Sequence, residues 1–293
     1  MSQPPPSGSL ARLSPRVRRL IAPNKGPFTY TGTCSYIVGE GRVAIIDPGP
    51  MDEGHIVALI EAVGCETIDA IVITHTHRDH SPGARLLQKA TGAPILGCAP
   101  HTPIENHPSG RADTSHDLDY RPDQVLRDGE SYSGDGFTLQ AVATPGHASN
   151  HLAFALLEEN ALFSGDHVMG WSTSVVAPPD GNMRAYIASL ERLLARDDSV
   201  YWPGHGDIIE NPQRLVRGYV THRVQRENAI LQRLSDGDRT IAQIVASIYP
   251  GLDERLVKAA SLSALAHLED LLARGLATSD VGAATMDAFY TVK

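Results

Sequence analysis

Seven residues, Thr74-His75-Thr76-His77-Arg78-Asp79-His80, constrain this chain more than any other stretch. They follow the apolar run Ala70–Thr74, which reads as a strand. His75 and His77 are alternate residues and turn inward together at a strand end, while Asp79 and His80 fall on the turn entering the next helix. Four nitrogen or oxygen donors within six residues suit a borderline metal such as zinc, which favours imidazole and accepts carboxylate. Three more polar groups follow later strands. His147 succeeds Thr144-Pro145-Gly146, Asp166 succeeds Ser164-Gly165, and His205 sits between Gly204 and Gly206. Strand ends on one sheet edge are where α/β folds assemble sites.

The periodicity around these groups alternates between strand and helix. Tyr36 to Val38 and Val43 to Asp47 form a hairpin, with Asp47 at a strand end, and Glu53 to Val63 carries Ile56, Leu59, Ile60 and Val63 on one helical stripe. A helix opens at Pro82 and stops before Thr91 and Gly92, and a strand follows at Pro94 to Gly97. Residues 100–123 lack a period and read as a surface loop, its His101, His107 and His116 solvated. Strands return at Phe137 to Ala143, His151 to Leu157, Ala161 to Phe163 and 200–202, with a helix at Arg184 to Arg196. This is an α/β architecture. From about residue 212 the pattern turns helical, with helices near 240–249 and 253–274 and a hairpin near 276–291. That order is the order of a winged helix. The expected domains are a disordered N-terminus at 1–13, a main domain at 14–220 and a C-terminal domain at 221–293.

Composition narrows the function classes. The chain has 293 residues, 42% hydrophobic and 20% charged, enough for one large core or two unequal ones. No apolar run approaches the roughly 18 residues of a membrane span and no secretory signal is evident, so the expectation is a cytoplasmic protein without a membrane partner. Cys34, Cys65 and Cys98 are scattered and read as small buried apolar side chains. A formal charge of −9 gives no general attraction for polyanions. Residues 14–22 carry Arg16, Arg18 and Arg19 and read as an edge strand whose basic side chains face solvent.

The run His75, His77, Asp79, His80 with His147, Asp166 and His205 resembles the signature of the metallo-β-lactamase superfamily. That resemblance implies an αββα sandwich, two β-sheets packed between helices. It implies that His75, His77 and His147 bind a first metal, that Asp79, His80 and His205 bind a second, and that Asp166 bridges both. Asp47 matches the aspartate that props the ligand loop from outside it. The ions implied are two divalent metals, zinc first, with manganese or iron also open. Tyr30 to Thr33, Phe163 to Asp166, Pro203 to Gly206, and His222-Arg223 with Arg226-Glu227 resemble the β-lactamase-like protein 2 group, which ends in a winged-helix-like domain. His77 stands where flavodiiron oxidoreductases have a glutamate, which speaks for hydrolysis. Asp166 stands where lactam-hydrolysing members of the main zinc subclass use a cysteine, which speaks against antibiotic hydrolysis. Only 38 residues separate Asp166 from His205, too few for the inserted domain of the long-chain nucleases.

Two metals about 3.5 to 4 Å apart share a water and lower its pKa towards 7, with Asp79 or Asp166 orienting the resulting hydroxide. The same machinery attacks thioesters, esters and phosphodiesters. A small-molecule ester or thioester is the expected substrate, and Gly170 to Asn182, including Trp171, is either a substrate lip or a packed connection. The alternative is a single-stranded RNA substrate, supported by Arg214, Arg217, His222, Arg223, Arg226 and Arg233, although a charge run on a helix is more often a solvated face. A nucleic-acid-binding regulator is a third reading, opposed by the mixed charge of Asp253 to Arg274. On that segment Leu262, Leu265, Leu268 and Leu272 suit packing against the main domain or a second subunit in a homodimer. His151 and His167 adjoin the ligand loops and are either outer supports or structural histidines.

Overall fold

The computed structural model describes residues 6–105, 107–109 and 115–293. The first sheet has seven strands in chain order: β1 (Leu10–Arg12), β2 (Val17–Ile21), β3 (Cys34–Val38), β4 (Arg42–Ile46), β5 (Thr67–Ile73), β6 (Ile95–Gly97) and β7 (Gln124–Val125). Antiparallel hairpins build β1 to β4, and parallel pairings add β5 to β7. The parallel crossovers carry helices α1 (Glu53–Val63) and α2 (Gly83–Thr91). Asp52 caps α1 by accepting from His55 N, and α2 ends on left-handed Gly92.

The second sheet contains β8 (Ser131–Ser133), β9 (Thr138–Ala143), β10 (Leu152–Leu156), β11 (Ala161–Gly165) and β12 (Val200–Pro203), in the order β12-β11-β10-β9-β8. Helix α3 (Met183–Leu194) connects β11 to β12. Period-two alternation explains how this sheet lies in the middle of the molecule. Leu152, Phe154 and Leu156 of β10 enter the core between the sheets, whereas Ala153 and Ala155 face a second core with Met183, Tyr186, Leu190 and Leu193 of α3. Phe163 and Trp202 take the first side, and Leu162 and Tyr201 the second. All five β10 residues are buried, so the strand reads as a continuous apolar run. Helices outside both sheets complete an αββα sandwich.

Helix α4 (Pro212–Ser235) gives Val216 and Tyr219 to the second core and Ile230 and Leu234 to a third. That third core is closed by α5 (Ile241–Ile248), α6 (Glu254–Ala273) and the hairpin of β13 (Ala277–Ser279) and β14 (Tyr290–Val292). A capping box between Thr240 and Gln243 starts α5. The arrangement is a winged helix.

Several expectations change. Strand β2 is internal, between β1 and β3, and its arginines are not solvent-facing: Arg19 is 5% exposed and donates to Gly206 O, and Arg18 pairs with Glu66 at 2.6 Å. Their long side chains cross the neighbouring strands to reach acceptors, which strand periodicity alone does not reveal. Leu10–Arg12 forms β1 within the stretch expected to be disordered, while residues 1–5 of that stretch lie outside the described residues. Cys65 is exposed, unlike Cys34 and Cys98. Leu265, Leu268 and Leu272 pack into the winged helix's own core instead of against the main domain. No described helix is long and apolar enough to cross a membrane.

One buried acid links this domain to pH. Burial raises the Glu269 carboxyl on α6 to about 7, with His107 Nε2 at 3.7 Å. A raised folded-state pKa favours the folded protein while the group is protonated, and that contribution is lost as pH rises from the unfolded value of 4.5 through about 7. Glu269→Gln should therefore melt higher than wild type at about pH 8 and converge with it near pH 5, as followed by thermal denaturation. Equal melting temperatures at the higher pH would refute the assignment.

Candidate metal centre

The centre forms where β4, β5, β9, β11 and β12 end. Asp47, at φ +48°, follows β4 and accepts Thr74 N at 2.8 Å, Thr74 Oγ1 at 2.6 Å and His80 Nδ1 at 2.9 Å. One buried carboxylate thus holds the end of β5 and a ring six residues later. Thr74 O accepts Leu152 N at 2.8 Å, which ties the same point to the second sheet.

All seven expected donors meet here, in two adjacent groups. In the first, His77 Nδ1 lies 3.0 Å from His75 Nε2 and 3.1 Å from His147 Nε2. In the second, His205 Nε2 lies 3.1 Å from Asp79 Oδ2, 3.3 Å from His80 Nε2 and 3.4 Å from Asp166 Oδ2. Asp166 Oδ2 also lies 3.6 Å from His147 Nε2, so this carboxylate adjoins both groups. Metal–ligand bonds of roughly 2.0 to 2.2 Å in tetrahedral geometry separate ligand atoms by about 3.3 to 3.6 Å. The observed spacings of 3.0 to 3.6 Å lie within or a few tenths of an ångström inside those edges. Asp166 Oδ1 is buried without a hydrogen-bond partner, as expected of an oxygen reserved for a cation. The chemistry and spacing of these donors suit divalent metal ions.

The opposite ring nitrogens are engaged. His147 Nδ1 donates to Val175 O at 2.7 Å, and His205 Nδ1 to Gly32 O at 3.2 Å. Thr74 Oγ1 gives its proton to Asp47, so at 3.0 Å it accepts from His75 Nδ1, leaving the His75 Nε2 lone pair for the cluster. His151 has a positioning role: its Nδ1 donates to Thr144 Oγ1 at 2.8 Å and its Nε2 accepts Asp166 N at 3.1 Å. His167 is buried against Tyr186 and, among the described residues, makes no hydrogen bond to the donors, although His147 adds to burial in holding it down to about 3.

Electrostatics divide the two groups. Burial, reinforced by neighbouring imidazoles, holds His75 well below its ordinary value and His77 down at about 3. Burial opposes ionisation of Asp79 and Asp166 too, but His80 and His205 outweigh it and keep both carboxyls well below the usual range. Against the same desolvation, the carboxylates push His80 well up and His205 up to about 9. Imidazolium protons therefore neutralise the carboxylates in the metal-free chain.

The loop histidines depart from expectation. His101 and His116 are buried and stacked, 3.7 Å between ring centres at an interplanar angle of 4°. His116 meets Thr76 Oγ1 at 2.6 Å and Asp180 Oδ2 at 3.1 Å. Asp117 N donates to Thr76 O and Arg78 N to Ser115 O. The loop folds back to brace the donor run through non-local contacts, which a scan for local periodicity cannot register. His107 is partly buried beside Glu269 instead of solvated.

A cavity of about 870 Å³ opens over the donors, lined by His77, Asp79, His147 and Asp166. Trp171, Ser172 and Thr173 form part of its wall, so the segment after Asp166 is a lip; Trp171 stacks on Tyr30 at 5.0 Å. Leu256, Ala259, Ala260 and Ser263 recur at helical spacing, and this stripe of α6 lines the cavity opposite the main domain. The basic run on α4 is dispersed: Arg214 and Arg217 are exposed, Arg233 pairs with Asp236 and Asp238, Arg226 lies over the Tyr249 ring, and Arg223 is buried.

Residues 29–205 match the sequence profile of the metallo-beta-lactamase superfamily. The chain is a member of that superfamily and a hydrolase. Within the metallo-β-lactamase superfamily it belongs with proteins carrying the beta-lactamase associated winged helix domain, which residues 240–283 match. It is 32% identical to an atrochrysone carboxyl ACP thioesterase of Aspergillus chevalieri, over 88% of this chain and 81% of that protein. It is 30% identical to a beta-lactamase-like protein 2 homolog of Caenorhabditis elegans, over 81% of this chain and 77% of that protein. The fold matches a beta-lactamase domain protein from Burkholderia ambifaria with a TM-score of 0.79 at 20% identity, covering 99% of this chain and 95% of that one.

Gly204 supplies a test of the geometry. A Cβ there would collide with Asp166 Oδ1 and approach His80 Cε1 to 2.8 Å. Gly204→Ala should lower the metal content per chain, measured by elemental analysis after dialysis, while far-ultraviolet circular dichroism stays that of wild type. Full metal content in the variant would contradict this reading of the second group.

Proposed function

We propose that the chain hydrolyses a small-molecule acyl thioester or ester with two divalent ions, zinc being the best match to the donor set. His75, His77 and His147 would hold one ion and Asp79, His80 and His205 the other, with Asp166 adjoining both groups. The observation carrying this reading is that both donor groups, joined at Asp166, face one cavity whose opposite wall is the apolar stripe of α6.

The bound ions supply Lewis acidity and a water of lowered pKa. The protein's own contribution is orientation. Asp79 and Asp166, which line the cavity among the donors, would accept hydrogen bonds from the attacking water and aim it at the scissile carbonyl. Asp47 and His151 fix the Thr74–His80 turn and Asp166 so that this aim is set before substrate arrives. Leu256, Ala259 and Ala260 receive the acyl portion and keep bulk water from it.

The thioester class is favoured by relatives named as acyl carrier protein thioesterases, at 29 to 32% identity. A single-stranded RNA substrate requires a basic track leading to the centre. The dispersal of the α4 arginines into burial, ring stacking and ion pairs removes much of it.

The test is turnover by zinc-loaded protein of an acyl-thioester panel and a single-stranded RNA, beside His77→Ala. Thioester hydrolysis should fall by at least about 100-fold in the variant, exceeding the loss common for a ligand's outer supports. RNA cleavage lost in the variant, with thioesters untouched, would replace this reading with the nuclease one.

A further inference from the structure

The helix motif His222-Arg223 with Arg226-Glu227 is left unused by the metal chemistry. Three of its members are accounted for locally: Arg226 lies 4.1 Å from the Tyr249 ring centre, Glu227 pairs with Arg274, and His222 lines the cavity. Arg223 is different. It is 3% exposed and lines the same cavity as the metal donors. Its Nη2 donates to Ser174 O and its Nη1 to Ser263 Oγ at 3.3 Å, its guanidinium lies 5.1 Å from the Tyr186 ring centre, and its Nε is buried without a hydrogen-bond partner.

Every one of those partners is neutral. Among the described residues no carboxylate forms an ion pair with Arg223, whereas nearby Arg184 and Arg274 both reach Asp270. Of the acids lining the cavity, Asp79 and Asp166 are engaged with His80 and His205, and Asp180 with His116. A guanidinium taken out of water without an anion is costly, and neutral acceptors offset only part of that cost. Its field reaches its neighbours: burial first, then Arg223, lowers His222, and the same pair of causes lowers His267 to about 3. The remaining wall near Ser263 is Ala259, Ala260 and Leu256. One positive charge among neutral groups calls for one negative charge from a ligand.

We propose that Arg223 binds a carboxylate carried by the acyl portion of the substrate, at the end remote from the scissile bond. The inference rests on the cavity being the substrate site. It narrows the substrate class from acyl thioesters in general to half-esters or half-thioesters of diacids and acyl groups of like charge. Ser263 and the Tyr186 ring set the plane of the guanidinium, and with two of its five N–H groups given to Ser174 O and Ser263 Oγ, the remaining donors of the fork are left for the ligand.

The test uses metal-loaded protein and isothermal titration calorimetry with linear diacids from succinate to suberate, each beside its half-amide. Both members of a pair bring one carboxylate to the metals, so their difference reports the second. At the best-fitting length the diacid should bind at least about 30-fold tighter than the half-amide, as for a desolvated charge pair. Arg223→Gln, which removes the positive charge and keeps a polar side chain, should bring the ratio close to one. Arg78→Met, which removes the other arginine lining the cavity, should leave it intact. Equal affinities at every length, a ratio that survives in Arg223→Gln, or a ratio lost in Arg78→Met would each overturn the proposal. Should Arg223→Gln not fold, the wild-type and Arg78→Met ratios still decide.

Hydrolysis of the matching N-acetylcysteamine thioesters separates this inference from the reading beneath it. An Arg223-dependent diacid preference without thioester turnover leaves the anion site standing and removes the thioesterase reading. Turnover with no diacid preference does the reverse.

Discussion

The Asp47 carboxylate is the joint from which the centre hangs. A buried carboxylate is tolerated only when its oxygens are satisfied, and three donors do so here: the Thr74 amide, the Thr74 hydroxyl and His80 Nδ1. Those three bonds make a geometric decision as well as an energetic one. They stop β5 at Ile73, turn the chain so that His75 and His77 point the same way, and fix which nitrogen of His80 faces inward. Because the Thr74 hydroxyl is committed to Asp47, His75 is committed to one tautomer. Because Thr74 O accepts Leu152 N, the second sheet is placed relative to the first at that point, and with it the strand ends that carry His147, Asp166 and His205.

Concentrating seven ionisable groups in a buried space creates a problem that the chain solves by asymmetry. In the three-histidine group, His75 and His77 are kept neutral by burial, ready to offer lone pairs. The group with two carboxylates draws protons onto His80 and His205. A divalent cation entering the second group would have to displace those protons, whereas His75 and His77 have none to lose. Two neighbouring donor groups of similar spacing thus differ in the protons they hold, and Asp166 adjoins both.

Much of this was legible in the sequence, because its origin is local. The spacing of Ile56, Leu59 and Val63 specifies α1, the alternation in β10 follows from two apolar faces of unequal size, and His75 to His80 sit on a turn whose chemistry needs no tertiary context to read. What was illegible is what long-range contacts create. Strand β7 has two residues and β8 three, too few to show a period. Arg18 and Arg19 look like the armour of an edge strand until Glu66 and Gly206 O are found across the fold. His101 and His116 look solvated until the chain returns to lay Asp117 N on Thr76 O. The α6 leucines were read as facing a partner because a stripe identifies an apolar face without identifying what covers it.

That helix ties the winged helix to the cavity over the donors. Its Leu265, Leu268 and Leu271 face the small domain's own core, and Ala266 packs into the core behind the second sheet. A third line, Leu256, Ala259, Ala260 and Ser263, is left over for the cavity. The residues on this line are small or flexible enough to leave space where bulkier side chains would fill it. The donor groups fit hydrolysis and say little about the molecule being cleaved, because the same donors serve several bond types. Selectivity must then come from the wall opposite, and here that wall belongs to a domain far along the chain from the Thr74–His80 run. Changes in α6 can alter the shape and polarity of the pocket without touching Asp47, Thr74 or any metal donor. Such a division leaves the donor groups unchanged while the pocket wall varies, with the buried Arg223 lining the same cavity.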